Sequence, residues 1–188
     1  MAILNILGFD PSMNNWGIAA AKYDTDTGKL EVVHLSVTTP VLPTGKQVRQ
    51  NSKDLQAAQQ LYAAAIDTTP GVHAIFVEVP IGSQSARAMA SYGMCVGILG
   101  GLRASGIPFY EVTPTEVKLA ATGNKNATKK DMISWGTTLH PEASWPTYKR
   151  GGVTIVTEAK AEHMADALGA IYAGLNGEAF KQSLRLMR

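Results

Sequence analysis

A single cysteine, Cys95, is all the sulfhydryl chemistry that this 188-residue chain contains, which excludes an internal disulfide and a zinc site built on thiolates. Aromatic residues are scarce at 7%, charged residues amount to 17%, and the net charge is only +2. So small a surplus does not argue nucleic-acid binding by itself; only a local basic patch would. The longest apolar run, around 94–102, is shorter than the ~20 residues a membrane span needs, so no membrane partner is expected. The N-terminus runs from a short apolar stretch straight into Asp10, without a basic region or a cleavage-like site, so neither a signal nor a transit peptide is expected. Cytoplasmic residence is the expectation.

What is present describes a folded chain. Hydrophobic residues make up 45%, too many for disorder, and the length suits one domain over 1–188 with a sizeable core. Cys95 sits in an apolar helix-like stretch, which predicts a buried structural role.

The first third reads as three strands, Ile3 to Phe9, Gly17 to Tyr23 and Leu30 to Val37, joined by short polar turns that favour antiparallel neighbours. A proline-held loop over 39–45 leads to a helix from about Gln47 to Ile66, with Val48, Leu55, Leu61, Tyr62 and Ile66 as its apolar side. A strand over His73 to Val79 follows. The next helix, Ser83 to Leu102, carries Gly93, Gly97 and Gly101 at four-residue spacing, which suits either tight packing on the sheet or a dimer interface. Pro108 to Val112 is a strand, and Thr113-Pro114-Thr115-Glu116 has the cap, the first-turn proline and the glutamate of a helix start, closed by Gly123. Thr128 caps another helix that ends near Leu139. The stretch 140–157 is irregular, with a β-like Val153 to Val156. A last helix covers Glu158 to Leu175, and a basic tail carries Lys181, Arg185 and Arg188. Three sequential strands followed by alternating helices and strands predict an α/β fold, a mixed sheet flanked by helices.

Asp10 closes the first strand and Glu78 the fourth, while His163 and Asp166 lie three apart on one helix face. A carboxylate at the mouth of an apolar strand is costly to dehydrate unless a cation or donor meets it. Plainer roles exist for each: Asp10 before Pro11 as a turn cap, Glu78 as the partner of a lysine, and 162–166 as a solvated helix surface. Their joint placement favours a metal site. Ala165, Ala167, Gly169 and Ala170 let the last helix lie close to the sheet and bring all four side chains together. Three carboxylates and one imidazole suit magnesium or manganese. Two such ions about 3.5–4 Å apart can activate water and stabilise the leaving oxygen in phosphodiester cleavage. Asp10 would bridge them, with Glu78 on one ion and His163 and Asp166 completing the set. Alternatively, His163 orients or deprotonates the attacking water.

These residues in order, Gly8-Phe9-Asp10-Pro11, Val77-Glu78, Lys118 in Glu116-Val117-Lys118, Lys129 after Ala127-Thr128, and His163-Met164-Ala165-Asp166-Ala167-Leu168, resemble the RuvC Holliday-junction resolvases over nearly the whole chain. The resemblance implies an RNase H-like fold of three antiparallel strands followed by parallel ones. It also implies a homodimer that nicks a four-way DNA junction symmetrically with two magnesium ions per site, manganese substituting, and no small-molecule cofactor. Asp10, Glu78, His163 and Asp166 fall on the family's metal-ligand positions, and Lys118 and Lys129 on lysines near the scissile phosphate, where a point charge serves. Lys118 thereby joins the expected catalytic set. A bacterial cell, or one infected by a bacteriophage, is the implied setting.

Three features depart from the family pattern. Ser12 replaces a glycine common after Asp-Pro. The segment 79–83 lacks an aromatic wedge residue, leaving Ile81 as an apolar wedge or, more plainly, as core filler. The stretch 140–157 is long, and its Tyr148-Lys149-Arg150-Gly151-Gly152 is either a DNA-contacting loop or a solvated turn. The expected DNA surface gathers Lys118, Lys125, Lys129, Lys130, Lys149 and Arg150. A broader flap or fork nuclease and a non-catalytic DNA-binding relative are the alternatives. An ATP-binding protein of the actin type is disfavoured by the short chain and by the lack of a glycine-rich second phosphate motif.

Overall fold

Alternation along the strands sets the architecture. In the computed structural model, which describes residues 2–45, 47–82 and 84–186, β1 (Ile3–Asp10) lies antiparallel to β2 (Trp16–Asp24), and β2 to β3 (Leu30–Thr38). β4 (Ala74–Glu78) and β5 (Tyr110–Val112) add in parallel on the other side of β1, giving the order β3-β2-β1-β4-β5. The expected mixed sheet is therefore present. Ser83 and Arg188, named in the sequence reading, lie outside the described residues.

Successive strand residues point to opposite faces, and the two faces bury different partners. Leu7, Phe9, Ile75 and Val77 pack with Ala57, Leu61 and Ala65 of α1 (Gln50–Asp67) and with Cys95, Ile98, Leu99 and Leu102 of α2 (Ala86–Ala104). Leu4, Ile6 and Phe76 pack on the other side against Met164, Ala167, Leu168 and Ile171 of α5 (Glu158–Asn176). α3 (Pro114–Thr122) and α4 (Lys129–Leu139) cover the far side of α5 through Val117, Met132, Ala165, Ala170 and Ala173. Both helices begin with a capping box, Thr113 with Glu116 and Thr128 with Asp131, each reciprocally bonded; such caps stabilise a helix start by about 1 kcal/mol.

Three expectations are corrected. Leu55 is 71% exposed, because α1 presents Ala57, Leu61 and Ala65 inward at four-residue spacing. The basic tail is in its described part a helix, α6 (Glu178–Leu186), held by Phe180 in the core and by Leu184, one turn on, packed partly buried against it. The Phe180 ring meets Phe76 and Tyr110 edge-on at 5.0 and 5.5 Å. Third, the expected β-like Val153 to Val156 is present as β7 (Val153–Val156), but the stretch before it, read as irregular, supplies a partner strand β6 (Thr147–Arg150) and makes a two-stranded hairpin. Among the described residues no helix is long and apolar enough to cross a membrane.

Candidate functional site

The parallel pairing of β1 and β4 runs Phe9 against Val77, so the next residues, Asp10 and Glu78, end adjacent central strands side by side. Alternation turns both toward α5. That helix approaches very closely, and two glycines permit it. A methyl group at Gly8 would run into the Ala167 carbonyl oxygen, and one at Gly17, the cross-strand neighbour of Asp10, into the His163 carbonyl. The approach brings His163 Nδ1 to 2.6 Å from Asp10 Oδ2, with both side chains largely covered at 19% and 15% exposure. Asp166 follows on the same face, half-buried.

Electrostatics couples the group. Burial pushes the Asp10 carboxyl up, against the pull of its bond to His163. Glu78 is raised to about 9, first by burial and then by the charges of Asp10 and Asp166. Asp166 is raised to about 7 by burial, by Asp10 and by Glu162. For His163, burial favours the neutral ring, but the bond to Asp10 and the surrounding carboxylates together move its pKa upward. Like charges at close range cannot all ionise cheaply, so the cluster is short of positive charge. Even so, among the described residues no three His, Cys, Asp or Glu side chains stand together as a ready-made metal cage. The Asp10–His163 bond occupies one oxygen and one ring nitrogen of the prospective donors, leaving His163 Nε2 for any other partner.

Two of the expected cations reach this cluster. The charge of Lys118, on α3, lowers the pKa of Glu78 and Asp166, and that of Lys129, in the first turn of α4, acts on Asp10. Lys129 Nζ pairs with Glu162 Oε1 at 2.6 Å. Lys125, Lys130, Lys149 and Arg150 are exposed on the approach to α4, its first turn and the hairpin. The plainer roles for Asp10 and for the 162–166 surface do not hold: Asp10 bonds to a histidine, and 162–166 is half-buried. Ile81 is 72% exposed, which overturns its reading as core filler. Cys95 is buried and its thiol is pushed up to about 11 by burial and then by the charge of Asp10, as suits an inert residue. Of the glycine stripe, Gly101 faces the Tyr62 ring, whereas a methyl group at Gly93 or Gly97 would meet nothing.

Three residues escaped the sequence reading. Glu162 is a fourth carboxylate at the cluster; its signal was the four-residue spacing to Asp166. Gly8 and Gly17 were also missed, although a glycine inside a strand marks the close approach of another backbone.

No family model matches the chain. It is 30% identical over 130 residues to a crossover junction endodeoxyribonuclease RuvC of Anaeromyxobacter dehalogenans, covering 68% of this chain and 65% of that protein. To the RuvC of Corynebacterium efficiens it is 29% identical over 129 residues, covering 69% of this chain and 55% of that protein. The matched stretch thus spans less than two thirds of these relatives' length. In fold it is similar to T. thermophilus RuvC, solved in complex with a Holliday junction substrate, with TM-score 0.61 and 18% identity over 90% of this chain and 92% of that one. It is likewise similar to the yeast mitochondrial Holliday junction resolvase Ydc2, with TM-score 0.59 and 17% identity over 89% and 76% of the two chains. In sequence this chain is similar to the RuvC endonucleases over about two thirds of its length, and in fold it shares the RNase H-like architecture of the solved RuvC structures.

Proposed function

We propose that residues 1–188 form one nuclease domain that resolves four-way DNA junctions by paired, metal-dependent nicks, acting as a homodimer in the cytoplasm of a bacterial or phage-infected cell. The observation that carries this reading is the carboxylate cluster at the ends of β1 and β4. Burial raises the proton affinity of Asp10, Glu78 and Asp166, and the charge of Asp10 raises Glu78 and Asp166 further, beside the charges of Lys118 and Lys129. A half-buried set this rich in carboxylates is relieved by divalent cations, and the donor chemistry suits magnesium, or manganese in its place. Asp10, Glu78, His163 and Asp166 would hold two such ions; the fit rests on donor type and mutual repulsion. When bound, the ions supply Lewis-acid neutralisation of charge developing at the phosphate.

The chain's own side chains perform the rest. Lys118 holds the scissile phosphate as a point charge, and Lys129 does so once it leaves Glu162. His163, fixed through Nδ1 by Asp10, presents Nε2 either to a cation or to the proton of the attacking water. Lys125, Lys130, Lys149 and Arg150 extend the phosphate-binding surface. The open face of α2 at Gly93 and Gly97 is the surface offered to the second copy. A flap or fork nuclease with the same chemistry is the second reading, favoured by the absence of an aromatic residue over 79–83. A non-catalytic DNA-binding relative would have no use for a cluster of half-buried carboxylates.

The test is to incubate the protein with a synthetic four-way junction, a flap and a linear duplex, with magnesium or chelator, and to map the nicks. Symmetric, magnesium-dependent nicks at the junction are expected. Nicks confined to the flap favour the second reading, and equal inactivity of wild type and Asp10→Asn would sink the enzyme reading. Sedimentation of wild type against Gly97→Arg tests the dimer.

A further inference from the structure

The β6–β7 hairpin is an exposed ribbon on a firm base. Every residue of β6 is exposed, as are Val153 and Thr154 of β7. Its two-residue turn, Gly151-Gly152, has both φ positive at 57° and 81°, the geometry of a tight, strongly twisted hairpin. An isolated hairpin is marginal in water, so the support must come from its root. There Trp145 Nε1 donates to the His140 carbonyl at 2.8 Å, and His140 Nε2 meets Tyr172 Oη of α5 at 2.8 Å. Thr157, the N-cap of α5, donates its N–H to the Pro146 carbonyl at 2.7 Å and closes the ribbon. From Thr157 to His163 is six residues, about 9 Å of helix. The ribbon thus springs from the element that carries half of the candidate site.

Its surface has a definite chemistry. Cross-strand pairing places Tyr148 beside Ile155 and Arg150 beside Val153 on one face, with Lys149 beside Thr154 on the other. Tyr148 and Val153 are 46% and 62% exposed. Between Glu142 and Glu158 there is no acidic residue, while Lys149 and Arg150 contribute two positive charges. Apolar side chains flanked by unopposed cations complement a polyanion with apolar edges, and a two-stranded ribbon has the width of a DNA major groove. A second protein copy would find no opposite charge on this surface.

We infer that the β6–β7 ribbon is a DNA-gripping arm that lies along a duplex arm of the branched substrate, with Lys149 and Arg150 on phosphates and Tyr148 and Val153 against the groove. This rests on the nuclease reading and names the element that grips the duplex beside the cut. Lys149 and Arg150 accordingly serve as backbone contacts, not as parts of a solvated turn.

Two measurements test it. First, binding of a four-way junction is titrated against salt, comparing wild type with Lys149→Ala/Arg150→Ala, in calcium so that the substrate stays intact. Between 50 and 200 mM salt the wild type should lose about tenfold more affinity than the double variant, because two fewer counterions are released. Second, a photo-crosslinking amino acid placed at Val153 should link to a duplex arm of the junction. Links only to another copy of the chain overturn the proposal in favour of a protein partner. Unchanged salt slopes and no DNA link, in a protein that still nicks junctions, overturn the ribbon's role and leave the nuclease reading standing. A wild type that binds no branched DNA removes both.

Discussion

The two faces of the central sheet obey one alternation and reach opposite ends. Toward α1 and α2 the inward residues of β1 and β4 are Leu7, Phe9, Ile75 and Val77, and the interface is apolar throughout. Toward α5 the same strands bury Leu4, Ile6 and Phe76 and then finish on Asp10 and Glu78. The first face is optimised for packing. The second gives up stability at its end to hold mutually repelling carboxylates against a helix that only glycines let approach. Strain of this kind belongs at functional sites, since an apolar pair there would be more stable.

Four experiments break or sharpen that contrast. Glu78→Gln should slow junction nicking by about a hundredfold or more, at or above the upper end of the roughly 10- to 100-fold typical of residues that support metal ligands, while raising the thermal midpoint in chelator because a desolvated carboxylate is gone. A lower midpoint would mean that Glu78 stabilises the fold. Next in size, Leu99→Ala on the apolar face should cost about 2–5 kcal/mol in denaturant unfolding and leave nicking by the folded fraction intact. Loss of nicking beyond the unfolded fraction would show that the two faces are not separable.

Third, Gly17→Ala should cost less stability, about 1–3 kcal/mol, yet reduce nicking at low temperature far more than Leu99→Ala, since it pushes the His163 backbone away from Asp10. Equal activity of the two variants refutes the positioning argument. Last comes pH. The folded-state pKa of Glu78, about 9 against its ordinary 4.5, means that the folded protein keeps a proton the unfolded chain has released. Stability in chelator should therefore fall as pH rises through that window. Asp166, at about 7 against 3.8, adds to the lower part. The midpoint should drop by about 5 °C or more between pH 5 and pH 9, and magnesium should restore most at the alkaline end. A flat or rising profile contradicts the cluster.

Much of this was legible beforehand because it is local. The apolar strand run from Ile3 to Phe9, the Thr113 and Thr128 caps and the closing Gly123 are short-range signals, and each lies where the residues imply. α6 was not legible, since Phe180 becomes helical and buried only when Phe76 and Tyr110 offer it an edge. Leu55, placed inward by helical periodicity, and Ile81, read as a wedge or as core filler, both face outward, because each helix or loop chooses its inward side from its neighbours. Glu162 was passed over as surface, because its partner Lys129 lies on another helix.

From its residues alone the chain declared an α/β fold and the candidate set Asp10, Glu78, His163 and Asp166, while Lys118 and Lys129 entered through the resemblance to the RuvC resolvases. Residue type, periodicity and order along the chain carry that information. Tertiary structure alone decided how near α5 comes to β1 and β2, which carboxylate oxygen His163 takes, that Glu162 joins the cluster, and that 147–156 stands out as a ribbon. Those depend on contacts between segments far apart in sequence, where the fit of backbone against backbone at Gly8 and Gly17 sets the distances.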